Sequence, residues 1–107
     1  MAASIAIAAP ARASLLPDVA TFDESGLPGF EASTWFGVLT RTGTPNAIVT
    51  TLNESINRIL RMDDVRARLA ALDAEPAGGT SKAFAEFLMA ERVKWGGVIR
   101  EAGIKSE

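Results

Sequence analysis

Between residues 44 and 102 the apolar side chains recur at helical spacing in three successive stretches, yet the chain encodes almost no sheet for those helices to cover. Thr44-Pro45 is a start signal, a hydroxyl suited to N-capping followed by a proline at N1, where no helical amide partner is lost. From there Ile48, Leu52, Ile56, Ile59 and Leu60 form one apolar stripe. Arg58 and Arg61 fall in the last turn, where cations favour the negative end of the helix dipole. A second, shorter helix begins at Asp63 or Asp64 and carries Val65, Leu69 and Leu72 on one face. Thr80 or Ser81 caps the longest helix, which runs to about Ala102 with Gly103 as its C′ residue. Its stripe is Phe84, Phe87, Leu88, Trp95, Val98 and Ile99. Gly96-Gly97 inside it costs about 0.8–1 kcal/mol per glycine relative to alanine. The pair therefore marks a bend, a close backbone approach, or tolerated drift on a helix that still packs.

Strand candidates are few and short. Residues 4–9 read as a buried strand, and residues 31–39 (EASTWFGVL), rich in β-branched and aromatic side chains, as a second. Residues 74–78 could form an edge strand, the only kind of strand that tolerates Pro76. Between the first two lies an irregular segment punctuated by Pro17-Asp18 and by Gly26-Leu27-Pro28-Gly29, with one helical turn expected at 22–25. The order is β-loop-β-α-α-β-α, an α/β arrangement. Two or three strands make a marginal sheet unless neighbours complete it. An incomplete lobe is expected, with apolar helix faces that seek cover by self-association.

Composition narrows the chemistry further. The 107 residues suffice for one modest core. A net charge of -2, with acids and bases interspersed, gives no pull toward nucleic acid or anionic lipid. With no cysteine and no histidine, thiolate nucleophiles, Cys/His zinc sites and Ser-His-Asp triads are closed routes. No enzyme activity, metal or cofactor is implied. No stretch reaches the roughly 18 apolar residues of a membrane span. Residues 1–14 superficially resemble a signal peptide with an A-x-A site at Ala11-Arg12-Ala13, but no Lys or Arg precedes the apolar run, and the strand reading is preferred.

Several segments, in order, resemble one known family. Leu15-Leu16-Pro17-Asp18-Val19-Ala20-Thr21-Phe22 leads into Glu24-Ser25-Gly26-Leu27-Pro28-Gly29-Phe30. Trp35-Phe36-Gly37, Thr42-Gly43-Thr44-Pro45, Asp64-Val65-Arg66, Ala74-Glu75-Pro76, Trp95-Gly96 and Ala102-Gly103-Ile104-Lys105 follow. Together they resemble the C-terminal portion of the Bug-type solute receptors of tripartite tricarboxylate transporters. That resemblance implies a partial periplasmic-binding-protein-like fold. Residues 1–30 would be a strand and loop of the second lobe, 31–39 the crossover strand, and 44–104 helices of the first lobe. It also implies binding of small carboxylates or amino acids in the periplasm, for delivery to a membrane transporter, with weak or no binding by this segment alone. A self-associating module without ligand binding is the alternative. The chain departs from the family pattern at Ala20, at Thr40-Arg41, at Asp73, where a glycine would suit a left-handed helix end, at Lys82-Ala83 and at Gly97.

Within that resemblance Ser33, Thr34 and Trp35 are the candidate ligand-contact residues, because hydroxyls and an indole N–H can bond a carboxylate directly or through water. The alternative is that Ser33 and Thr34 satisfy backbone at a hinge while Trp35 packs in an interface. Arg12 and Arg41 could grip a carboxylate in bidentate fashion, but read better as solvated surface charges. Gly43-Thr44-Pro45 could receive an anion on free helix amides, though an ordinary N-cap explains it. The adjacent acids Asp63 and Asp64 diverge by about 100° on a helix, so helix-start electrostatics explains them better than a metal site does.

Overall fold

A computed structural model describes residues 4–106. The three helices read from the sequence are present: α1 (Asn46–Ile59), α2 (Asp63–Ala71) and α3 (Ser81–Ala102). The chain divides into two compact units. One holds the described residues through Leu39 together with Ala67–Glu75; the other holds Thr40–Arg66 and the described residues from Pro76 onward.

In the second unit the helix ends follow local hydrogen bonding. Thr44 does not cap α1. Its hydroxyl donates to the Arg41 carbonyl at 2.6 Å and lies 3.0 Å from Thr40 Oγ1, closing the turn through Gly43. Pro45 therefore occupies the N-cap position rather than N1, and its carbonyl accepts from the amides of Ile48 and Val49. At α3 the expected cap forms, with Thr80 Oγ1 accepting from the Ala83 amide at 3.0 Å. The helix runs unbroken through Gly96-Gly97. A Cβ at Gly97 would meet nothing within 4 Å and one at Gly96 only Arg100 Nη1 at 3.5 Å, so neither a break in the helix nor a close backbone approach by the described residues accounts for the pair.

α2 opens on Asp63 and Asp64, which suit the positive end of its dipole. It closes within the first unit through paired bonds from Asp73 to Ala70 and from Ala74 to Leu69. α3 closes the same way, from Gly103 to Arg100 and from Ile104 to Ile99. Both are Schellman motifs.

The strand expectations are corrected. Among the described residues no strand forms at 4–9, 31–39 or 74–78. The β-pairing present is a single parallel bridge between Ile7 and Thr21. Ile7 donates to Ala20 and accepts from Phe22, each at 2.9 Å, and Ala32 donates to Ala8 at 2.8 Å. A ladder needs a second backbone running alongside, and residues 31–39 find none here despite their β-favouring side chains. Residues 4–9 are not buried either: Ala6 to Ala9 are half-buried and Ile5 is exposed. In place of the β-loop-β-α-α-β-α order the described residues form three helices and one bridge. No apolar residue among those described is fully buried.

Candidate functional site

The most organised polar structure lies in the first unit, around the loop that follows the bridge. Thr21, 3% exposed, is the buried polar residue at its centre. The Thr21 amide donates to Glu24 Oε2 at 2.8 Å, and the Glu24 amide donates to Thr21 Oγ1 at 3.2 Å. This reciprocal pair is a capping box, and it opens the single helical turn in which Ser25 donates to the Thr21 carbonyl. The turn was legible at 22–25; its box was missed, although the T-x-x-E spacing of Thr21 and Glu24 is the signal for one.

Arg12 closes over the same carboxylate. Its Nη2 donates to Glu24 Oε1 at 2.8 Å and its Nε to Oε2 at 3.0 Å, while Nη1 reaches the Pro17 carbonyl at 2.9 Å. The guanidinium hydrogen bond, and then the Thr21 amide, hold the Glu24 carboxyl well below its ordinary 4.5, at about 2. The Arg12 pKa is raised in turn, chiefly by the hydrogen bond to Glu24. Asp23 Oδ1 accepts from the Gly29 amide at 2.8 Å, fastening the far end of the loop. Arg12 is thus a surface charge that is ion-paired as well as solvated, and its bidentate face is already occupied by Glu24.

Ser33, Thr34 and Trp35 belong to this unit, in an exposed stretch without regular structure that begins at the Ala32–Ala8 hydrogen bond. Trp35 is 40% exposed. The hydroxyls of Ser33 and Thr34 make no hydrogen bond among the described residues. Ser33 and Thr34 are exposed and turn their hydroxyls to solvent.

The second unit holds a shallow cleft of about 510 Å³ between α1 and the segment leading into α3. Asn53, Asn57, Arg61 and Arg66 are among the residues that line it. Both asparagine amides donate to the Gly79 carbonyl, at 3.0 and 2.8 Å, so these two side chains join parts of the chain rather than standing open to a ligand. Asp63 and Asp64 gather no third acid: among the described residues no such group could hold a metal ion. No helix of the described residues is long and apolar enough to cross a membrane.

Residues 3–104 match the family described as TctC, tripartite tricarboxylate transporter family receptor. A UPF0065 protein in the tcbD-tcbE intergenic region of Pseudomonas sp. (strain P51) is 40% identical over 87 residues, covering 80% of this chain and 26% of the relative. Protein BugT of Bordetella pertussis is 37% identical over 102 residues, covering 95% of this chain and 31% of its own length. Among solved structures, R. palustris Rpa4515 with adipate superposes with a TM-score of 0.77 at 35% identity, over 92% of this chain and 33% of that one. The chain spans about a third or less of the length of each of these three relatives.

Proposed function

Because the chain belongs to the tripartite tricarboxylate transporter receptor family, we propose that it serves as one portion of a periplasmic receptor for small carboxylates or amino acids, and that these 107 residues grip such a ligand weakly or not at all unaided. The observation that carries this reading is the likeness to a protein solved with adipate, of which this chain covers 33%. Two-lobed receptors bind by closing a cleft lined from both sides. In this reading residues 1–30 belong to the second lobe, residues 31–39 cross between lobes, and residues 44–104 supply helices to the first. The division of the chain at Leu39 and Thr40 supports that reading, with Ala67–Glu75 as the exception. Ser33, Thr34 and Trp35 then offer their donors at the cleft wall, while the Arg12–Glu24 bracket holds the preceding loop in shape. The role is non-catalytic, and the partner of the whole receptor is a membrane transporter. Isothermal titration of the chain with adipate, other dicarboxylates and amino acids tests this. Absent or millimolar binding is expected, and micromolar affinity would overturn it.

A second reading is self-association. What favours it is exposure: Phe36 is 92% exposed, Val38, Leu39 and Met89 are exposed as well, and no apolar residue among those described is buried. Sedimentation equilibrium tests it, and a monomer at all concentrations would end it.

A further inference from the structure

α3 presents two sides. Phe84, Leu88 and Glu91 are half-buried on one. On the 3.6-residue period Met89 and Val93 lie roughly opposite them, and they are 71% and 73% exposed. Gly96 and Gly97, both half-buried, continue this side by one turn. A Cβ at Gly97 would meet nothing within 4 Å, and one at Gly96 only Arg100 Nη1 at 3.5 Å. Glu86 and Arg100 close the two ends of the strip, and the side chain of neither makes a hydrogen bond or ion pair among the described residues.

The order of these residues is self-complementary about Val93. Glu86 and Arg100 stand seven positions to either side, Met89 and Gly97 four, and Ala90 and Gly96 three. Two copies of the helix laid antiparallel across a two-fold axis at Val93 would set Val93 against Val93. They would drop each Met89 into the space left by a Gly97, set Ala90 over Gly96, and bring each Glu86 opposite an Arg100. A two-fold interface requires this reciprocity, in which each residue contacts its counterpart's mirror position. The charge pairing favours the antiparallel arrangement, because parallel copies would set like charges together.

We propose that this side of α3 docks a second copy of the chain, forming an antiparallel α3–α3 pair centred on Val93; the proposal rests on the self-association reading and names its surface. With two large apolar side chains per copy, the contact belongs to the small, weak class below about 1,200 Å². The dimer therefore forms reversibly at high protein concentration.

Sedimentation equilibrium on the whole chain and four variants tests the proposal, with far-UV circular dichroism to verify that each stays helical. Gly97→Lys fills the space Met89 needs, at a half-buried position where an added Cβ meets nothing within 4 Å and lysine is the better helix former. Glu86→Arg sets arginines opposite each other. Either should weaken dimerisation at least about tenfold, whereas the double variant Glu86→Arg/Arg100→Glu should restore it. Val93→Cys, in a chain that has no other cysteine, should form a disulfide-linked dimer on mild oxidation. A wild-type chain that stays monomeric overturns the self-association reading and this proposal together. A dimer indifferent to Gly97→Lys and to charge reversal leaves self-association standing and overturns this surface.

Discussion

Asn57 and Gly79 exchange two hydrogen bonds, with Asn57 Nδ2 donating to the Gly79 carbonyl at 2.8 Å and the Gly79 amide donating to Asn57 Oδ1 at 2.9 Å. A side-chain amide of α1 thus stands in for a neighbouring backbone and ties the approach to α3. Asn53 adds a single bond to the same carbonyl at 3.0 Å. Asn57→Leu removes both bonds, together with the one Asn57 Nδ2 donates to Asn53 Oδ1, but lets the exposed Gly79 return to water, so a loss of about 1–2 kcal/mol is expected. Asn53→Leu removes two bonds and leaves Asn57 paired with Gly79, so it should cost less. Urea titration of the helical signal checks the ranking, and equal losses would contradict it.

Gly78 lies under the same side chain. Its φ is +66°, and a Cβ there would come within 2.7 Å of Asn57 Oδ1. Gly78→Ala meets two obstacles, a left-handed backbone that costs an L residue about 1–2 kcal/mol and the collision with Asn57. The second obstacle vanishes when Asn57 is already alanine. The two substitutions should therefore be non-additive, with a coupling of about 0.5–2 kcal/mol in a double-mutant cycle. Additive losses would show that Asn57 yields freely.

The Glu24 carboxyl titrates at about 2 in the folded chain against an ordinary 4.5, because Arg12 and the Thr21 amide hold its charged form. A depressed folded pKa stabilises the loop above the ordinary value, and that stabilisation is lost as pH falls through the folded one. The loop should stay fastened at pH 5 and loosen between about 4.5 and about 2. NMR titration of the Glu24 side-chain carboxyl should give a midpoint near 2, and Arg12→Ala should move it upward. An unmoved midpoint would mean that the ion pair is not its cause.

The helices were legible because a 3.6-residue period is written into each one: Ile48, Leu52 and Ile56 in α1, or Phe84, Leu88 and Trp95 in α3. Their polar fastenings were harder to see. Asn53 and Asn57 recur at the same spacing, but their partner is the backbone of a glycine more than twenty residues away, which no periodicity announces. Thr44-Pro45 carried the start signal of α1, and the hydroxyl went to Arg41 instead, because the turn through Gly43 brought that carbonyl closer. Residues 31–39 carried strand-forming side chains without a strand, since propensity describes one edge and pairing needs two. The Ser33–Trp35 proposal came from family resemblance; its three residues carry donors, and the backbone alone does not say what they face.

Asp73 and Gly103 occupy the same place in two equivalent helix endings, each at a left-handed φ, 52° and 64°, where the chain turns back on its own last carbonyls. Glycine meets no Cβ penalty there, whereas aspartate tolerates the conformation only in part. Substitution should then have opposite signs at the two ends. Asp73→Gly should stabilise the chain by up to about 1 kcal/mol, reduced somewhat by the freedom glycine adds to the unfolded state. Gly103→Ala should destabilise it by about 1 kcal/mol. Urea midpoints measure the net effect. Hydrogen exchange at the Ala74 and Ile104 amides, which close the two motifs, should slow in the first variant and quicken in the second. If both substitutions moved in the same direction, the left-handed turn would not be what limits either helix end.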